Sequence, residues 1–104
     1  MRRQRPRRME DIMSVVIIGG HERMETQYKQ ICKKYQCKVK VFTKMKTDLN
    51  RKIGCPDLMI LFTSTASHKM VHCAVAESER NKAILERSHS SSATALIGIL
   101  EQYA

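Results

Sequence analysis

Histidine and hydroxyl side chains follow a strongly apolar segment of the chain. After the five apolar residues Leu58 to Phe62 come Thr63 and three more hydroxyl residues, ending at Ser67, and then His68 and His72. On a helix, residues four apart lie one turn apart on nearly the same face. Two neutral imidazoles so placed are candidate ligands for a divalent metal or for haem iron. The alternative is a capped, solvated first turn, because no Asp, Glu or Cys is placed to complete a tetrahedral zinc site.

Two further segments place anion-binding groups after apolar runs. Gly19 and Gly20 follow one such run, lack side chains that would block a ligand, and precede His21. Arg87 introduces a serine-rich segment around His89, and amides and hydroxyls at helix N-termini bind anions. The same hydroxyls would otherwise only cap helices. The candidate ligand-binding residues are Gly19, Gly20, His21, Thr63, Ser67, His68, Arg87, Ser88, His89 and Ser91.

Apolar runs and helical periodicities alternate along the chain. Strands are predicted over 14–20, 38–45, 57–62 and 83–87, and helices over 22–36, 46–54, 67–81 and from about 90 onward. The packing face predicted for the third helix consists of Val71, Ala74, Val75 and Ser78. Alternation of this kind predicts a parallel sheet with helices on both faces and right-handed crossovers.

The strand sequences also predict the order of the sheet. The two fully apolar strands belong in the centre, and the strands that carry charges belong at the edges. The fold class is therefore a single Rossmann-like (flavodoxin-like) α/β domain with a four-stranded parallel sheet of order 2-1-3-4. In such sheets the ligand binds at the carboxyl ends of the strands, where the order reverses. We assign residues 14–104 to this domain and residues 1–13, which are rich in arginine, to a basic, flexible arm.

Composition narrows the environment and the partners. The chain of 104 residues has a net charge of +9, and this surplus favours anionic partners, including nucleic acid bound through the arm. Two Phe, three Tyr and no Trp argue against a base-stacking surface. No apolar run is long enough to span a membrane. Cys32, Cys37, Cys55 and Cys73 lack a C-x-x-C spacing, which predicts reduced thiols in a cytoplasmic protein, with a bridge between the first two as the alternative.

No complete catalytic motif is present. The segment Gly19 to Met24 does not complete the G-x-G-x-x-G fingerprint, and nothing matches a P-loop. We assign no catalytic residue and leave enzymatic activity open. One catalytic alternative is a phosphotransfer protein in which His21 accepts the phosphoryl group, by analogy with phosphocarrier domains of similar layout.

The same segments resemble the bacterial domain-of-unknown-function 2325 family. The resemblance rests on Val15 to Gly20, on Asp57-Leu58 leading to Thr63 through His68, and on Arg87 to Ser92, and covers residues 14 to 104. It implies a Rossmann-like, cytoplasmic and dimeric bacterial protein, and it adds weight to Gly20, His68, Arg87 and Ser91. Family members commonly read T-D-x-V-S-H after the third strand, where this chain has Ser64 in place of the acid.

The sequence departs from the family pattern after the second strand. Many members carry His-x-Gly-Gly after the second strand, where this chain has Thr43-Lys44-Met45-Lys46, so a haem or metal role would lose one candidate ligand here. From these observations we expect a small ligand-binding or sensing module. Its ligand would be haem, a metal or a phosphorylated small molecule.

Overall fold

Strands and helices alternate throughout residues 12–103, which are the residues that the computed structural model describes. The strands are β1 (Ser14–Ile18), β2 (Lys38–Phe42), β3 (Leu58–Phe62) and β4 (Ile84–Ser88). The helices are α1 (Glu25–Lys34), preceded by a 3-10 turn (Glu22–Met24), α2 (Leu49–Ile53), α3 (His68–Asn81) and α4 (Ala93–Tyr103). Residues 1–11 of the predicted arm lie outside the described residues.

The four strands form one parallel sheet in the order β2-β1-β3-β4, which confirms the predicted order. Ile17 of β1 pairs with Val41 on one side and with Ile60 on the other. Every residue of β3 is buried, as expected for a central strand that is covered on both faces. The carboxyl ends of β1 and β3 therefore lie side by side, at the point where the chain order reverses.

Alternate residues of the central strands support separate cores on the two faces. Val15 and Ile17 of β1 pack in the core beneath α1 and α4, which contribute Tyr28, Ile31 and Leu100 among others. Val16 and Ile18 pack in the opposite core, which includes Leu49 of α2 and Met70 of α3. None of the helices between residues 12 and 103 has the length and apolar character that a bilayer crossing requires.

The helix boundaries follow capping chemistry. Ser67 caps α3, because its Oγ accepts a hydrogen bond from the Met70 N–H at 3.3 Å. Ser92 caps α4 in the same way, with the Ala95 N–H at 3.1 Å. Helix α2 is only five residues long and is followed by Gly54. Since the caps fix where each helix starts, they also fix which backbone amides face the carboxyl edge of the sheet.

The packing face of α3 differs from the prediction. Met70, Ala74, Glu77 and Ser78 are buried, whereas Val71 and Val75 are half-buried. Glu77 is only 5% exposed, and its carbonyl accepts a hydrogen bond at 3.0 Å from the Asn81 amide, which also donates to the Gly54 carbonyl at 2.9 Å. These bonds tie α3 to the loop after α2. Compared with the prediction, Met70 and Glu77 take the place of Val71 and Val75 in the buried stripe.

None of the four cysteines, which all lie within residues 12–103, forms a disulfide, so the alternative of a Cys32–Cys37 bridge is not realised. Cys32 and Cys37 are buried, Cys73 is half-buried and Cys55 is exposed. The Cys37 N–H donates to the Cys32 carbonyl at 2.9 Å, so the backbone link between them is a helix-terminating hydrogen bond. Burial raises the pKa of the Cys32 thiol to about 12, which keeps it protonated and unreactive.

Candidate functional site

Three loops meet at the carboxyl edge of the sheet and are joined by direct hydrogen bonds. The Thr63 N–H donates to the Ser88 carbonyl at 2.9 Å, and the Ser64 hydroxyl donates to the His89 carbonyl at 2.5 Å. On the other side of β3, the Gly20 N–H donates to Thr65 Oγ1 at 2.6 Å. The loops after β1, β3 and β4 therefore form one continuous rim.

Tyr28 of α1 holds two of these loops together from beneath. Its side chain is fully buried, and its hydroxyl donates to the Ser91 carbonyl at 2.6 Å. Its ring lies against Gly20, where an added Cβ would come within 2.7 Å of a ring carbon, and the backbone there has a φ of +87°. Only glycine suits this position, because both the left-handed backbone and the adjacent ring exclude a side chain.

The ten predicted ligand-binding residues differ in accessibility. Gly19 and Gly20 are buried, and an added Cβ at Gly19 would lie 2.8 Å from the Phe62 carbonyl oxygen. Internal packing therefore accounts for both glycines. Ser88 and Ser91 are half-buried, and the Ser88 hydroxyl donates to the Ser90 carbonyl at 2.7 Å. The exposed members are His21, Thr63, Ser67, His68, Arg87 and His89.

Two helices start at this rim without acidic residues in their first turns, where acidic side chains usually stabilise a helix. The first turns of α3 and α4 contain no Asp or Glu, whereas the first turn of α1 contains Glu25. Backbone N–H groups of a first turn lack partners within the helix and carry partial positive charge. In α3 the cationic side chain of Lys69 adds to this charge. The two N-termini therefore favour an anion at the rim.

The candidate metal ligands are placed one turn apart at the start of α3, and both His68 and His72 are exposed. Within residues 12–103 there is no group of three or more His, Cys, Asp or Glu side chains that could hold a metal ion. The donor set thus consists of two imidazoles. Two imidazoles are too few for the closed tetrahedral site of a structural zinc ion.

His21 precedes the 3-10 turn and lines a separate open cleft. The cleft has a volume of about 540 Å³ and is bordered by His21, Glu22, Arg23 and Met24. Glu22 also pairs with Lys44 from the loop after β2, at 2.5 Å, and this hydrogen bond raises the pKa of the Lys44 ammonium. His21 is therefore solvent-accessible and lies beside one arginine.

Sequence reasoning missed the residues that organise the rim. Tyr28, Ser64 and Thr65 are not among the ten predicted ligand-binding residues, although their hydroxyls join the loops. One signal was available for Tyr28: a tyrosine on the buried stripe of a helix needs a partner for its hydroxyl. For the two hydroxyls in the loop there was no such signal, because serine and threonine are common in any turn.

The sheet order, the helices on both faces and the joined loops define a doubly wound α/β protein of the Rossmann or flavodoxin type. A family model described as "Uncharacterized protein conserved in bacteria (DUF2325)" matches residues 14–103. The chain belongs to this family, which confirms the resemblance found in its motifs. Searches of curated proteins and of solved structures gave no match.

Proposed function

We propose that this protein binds a small anion, a phosphorylated metabolite in particular, at the rim where α3 and α4 begin. The observation that carries the proposal is the pair of helix N-termini without an acidic residue in the first turn, at a rim whose loops are hydrogen-bonded together. A phosphate group suits such a site because it accepts hydrogen bonds from several backbone amides at once.

Charged and polar side chains of the rim support the same ligand class. Arg87 is exposed at the end of β4, and a guanidinium binds phosphate oxygens with two parallel hydrogen bonds. His68 and His89 are exposed in the two loops and can donate to an anion through a ring N–H. We assign His68 as the central polar group, with Arg87 and the serines as the anion clamp and His21 as a flanking donor. Four cysteines without a disulfide suit the reducing cytoplasm that the sequence predicts.

An amide-resolved titration tests the proposal. Pyrophosphate is added to the ¹⁵N-labelled protein, and chemical shifts are followed in two-dimensional NMR spectra. We expect the largest changes at His68, Lys69, Ala93 and Thr94, the amides in the first turns of α3 and α4. The amides of the first turn of α1 serve as the internal reference, because Glu25 opposes an anion there.

A pair of matched substitutions separates site binding from general charge. Thr94→Asp places a carboxylate in the first turn of α4, and Thr26→Asp places one in the first turn of α1; both threonines are exposed. We expect Thr94→Asp to weaken pyrophosphate binding up to about fivefold, since a charge at a helix N-terminus contributes up to roughly 1 kcal/mol, and Thr26→Asp to leave it nearly unchanged. Equal weakening by the two variants, or shifts spread evenly over the surface, would show that the rim is not an anion site.

One observation favours a second candidate, phosphoryl transfer through His21. His21 is exposed, and Arg23 beside it can neutralise charge on an incoming phosphoryl group. Incubation with a phosphohistidine donor should then give acid-labile phosphate on the wild-type protein and none on His21→Ala. Labelling that persists in His21→Ala would exclude this role.

Haem or metal binding by His68 and His72 stays a prediction. Both imidazoles are exposed, so His68 or His72 would hold a haem iron through a ring nitrogen, whereas the two together are too few for a closed zinc site. Titration with haemin should produce a sharp near-ultraviolet band that is lost in His68→Ala. A spectrum that is the same for the two proteins would exclude His68 as a ligand.

A further inference from the structure

The segment that builds the β2 edge of the sheet is strongly basic. Residues 29–52 contain nine Lys and Arg and a single acidic residue, Asp48, whereas residues 53–103 contain four Lys and Arg and five Asp and Glu. These 24 residues run from α1 through β2 to the end of α2, so their charge is concentrated around one edge strand. The positive potential of the described chain is therefore local to this edge.

A cleft runs along this edge, with a volume of about 470 Å³. Its cationic walls come from both sides of the sheet, with Lys29 on α1, Lys40 on β2, and Arg51 and Lys52 on α2. The ammonium of Lys40 donates to the Lys52 carbonyl at 3.0 Å, which fixes one cation across the cleft. The floor consists of Val39, Val41 and Phe42 of the edge strand.

Protection of the edge explains only part of this charge. One or two lysines on an edge strand suffice to prevent another chain from pairing with it. Among residues 12–103, three acids pair with these nine cations: Glu25 with Lys29 at 3.0 Å, Glu22 with Lys44 at 2.5 Å and Asp48 with Lys52 at 3.8 Å. Most of the nine cations of this segment thus remain available to an anionic partner.

The arrangement of cations around the cleft favours one kind of anionic polymer as its partner. From these features we infer that the cleft along β2 binds the sugar–phosphate backbone of a single-stranded nucleic acid. Cations from α1, β2 and α2 line this one cleft from both sides of the edge strand, which suits a single phosphodiester chain laid along it. Phe42 is only 8% exposed, so no aromatic face is offered for base stacking and binding is independent of sequence. The binding free energy then comes mainly from counterion release.

The chain offers a closely matched pair of variants for the test. Arg51 and Lys52 lie in the last turn of α2, while Arg80 and Lys82 lie at the end of α3; each pair is exposed and contains one cation paired with an acid. Both pairs are replaced by glutamine in the full chain, so that net charge and the N-terminal segment stay equal. Affinity for a fluorescein-labelled oligothymidine is measured by anisotropy at several salt concentrations.

We expect the Arg51→Gln/Lys52→Gln variant to lose about tenfold in affinity near physiological salt, with the slope of log K against log salt lowered by about 1. The Arg80→Gln/Lys82→Gln variant should bind as the wild type does. Equal loss in the two variants would overturn the inference, because binding would then depend on net charge alone.

Two further arms test the identity of the polymer. Duplex DNA bound as tightly as the single strand would overturn the single-strand assignment, and a labelled oligoglutamate bound more tightly would assign the cleft to an acidic protein segment instead. Unfolding curves of both variants are recorded under the titration conditions, because Arg80 pairs with the buried Glu77 at 3.6 Å, and the affinities are compared where both variants are folded. The rim at α3 and α4 is a separate surface, so pyrophosphate binding there is expected to be unaffected by Arg51→Gln/Lys52→Gln.

Discussion

The two edges of the sheet differ in charge, in covering and in the helices that flank them. The β2 edge carries exposed Lys38 and Lys40 and is flanked on one face by the five-residue helix α2. The β4 edge carries half-buried Ile84 and Leu85 and lies between α3 and α4, which have 14 and 11 residues. Charge repels a second strand from one edge, and apolar side chains leave the other able to pair.

This difference shows how one small sheet separates two tasks. The rim lies at the carboxyl ends of β1, β3 and β4. It consists of the loops that follow these strands and of the first turns of α3 and α4. The β2 edge uses side chains of a strand and two helices to hold charge. Each surface can therefore be altered without changing the other, which makes the contrast between the edges testable by paired substitutions.

The largest expected effect is a loss of unfolding free energy when the core contact of α2 or of α4 is truncated. Leu49 of α2 and Leu100 of α4 are both fully buried, so each Leu→Ala substitution removes the same group. We expect a loss of about 2–5 kcal/mol in unfolding free energy for such substitutions, with Leu100→Ala near the top of the range and Leu49→Ala near the bottom. Each helix has two fully buried residues, but α4 also packs the partly buried Ile97, Ile99 and Tyr103 against its core, whereas α2 adds no further side chain to the opposite core. Helix α2 can therefore open locally before global unfolding.

Urea denaturation followed by circular dichroism measures these losses. Hydrogen exchange of the wild type should independently show faster exchange in α2 than in α4. Equal losses for the two variants, together with equal protection of the two helices, would remove this part of the contrast between the edges.

The next effect concerns buried thiols on the two sides of the sheet. Burial raises the pKa of Cys32 in α1 to about 12, and burial also raises the pKa of the half-buried Cys73 in α3. An unfolded cysteine ionises near pH 8.5, so stability from Cys32 is fully present below about pH 8.5 and is lost as the pH rises from there toward 12.

The measurement compares unfolding free energies at mildly and strongly alkaline pH. Between about pH 8.5 and pH 10.5 the wild type should lose about 2–3 kcal/mol more than Cys32→Ala does, at 1.36 kcal/mol per pH unit. The corresponding difference for Cys73→Ala should be smaller because Cys73 is only half-buried. Since all three proteins share the same lysines, a parallel decline in all of them would count against this role of Cys32.

The smallest effect concerns association. Ile84 donates its N–H to the Asp57 carbonyl and the Ser88 carbonyl accepts from Thr63, so residues 84, 86 and 88 face β3 while the backbone groups of Leu85 and Arg87 face outward. We predict that the homodimer expected from the sequence forms through this β4 edge. Leu85→Lys should raise the dimer dissociation constant at least tenfold, roughly 1.4 kcal/mol.

Val41→Lys provides the control, since Val41 is the half-buried, outward-facing residue of β2. Light scattering across a concentration series would report both variants. Loss of the dimer in Val41→Lys with retention in Leu85→Lys would show that the subunits associate through β2, which would contradict the prediction.

Much of the fold could be predicted from the sequence because its strongest signals are local. The uninterrupted run Leu58 to Phe62 predicts a central strand, and the alternation of Lys38, Val39 and Lys40 predicts an edge. The buried stripe of α3 could not be predicted in the same way. It includes Glu77, a charged residue that the periodicity of apolar side chains does not place in a core.

The candidate site could be located from the sequence but not constructed from it. The prediction that Gly20 approaches a ligand was based on the freedom of a glycine backbone, whereas its N–H is bonded to Thr65 and its open side faces Tyr28. The first turns of α3 and α4 lack acids in the sequence itself, yet this absence has meaning only when both helices are known to begin at one rim.

The contact between Gly20 and Tyr28 also constrains how the sequence can change over time. A side chain at position 20 would collide with the aromatic ring, while a smaller residue at position 28 would leave a void and release the Ser91 carbonyl. Each single change is therefore harmful in the presence of the other residue. A smaller residue at position 28 would not open position 20 to a side chain, because the backbone φ of +87° there still favours glycine. The glycine therefore stays fixed even when the ring beside it changes.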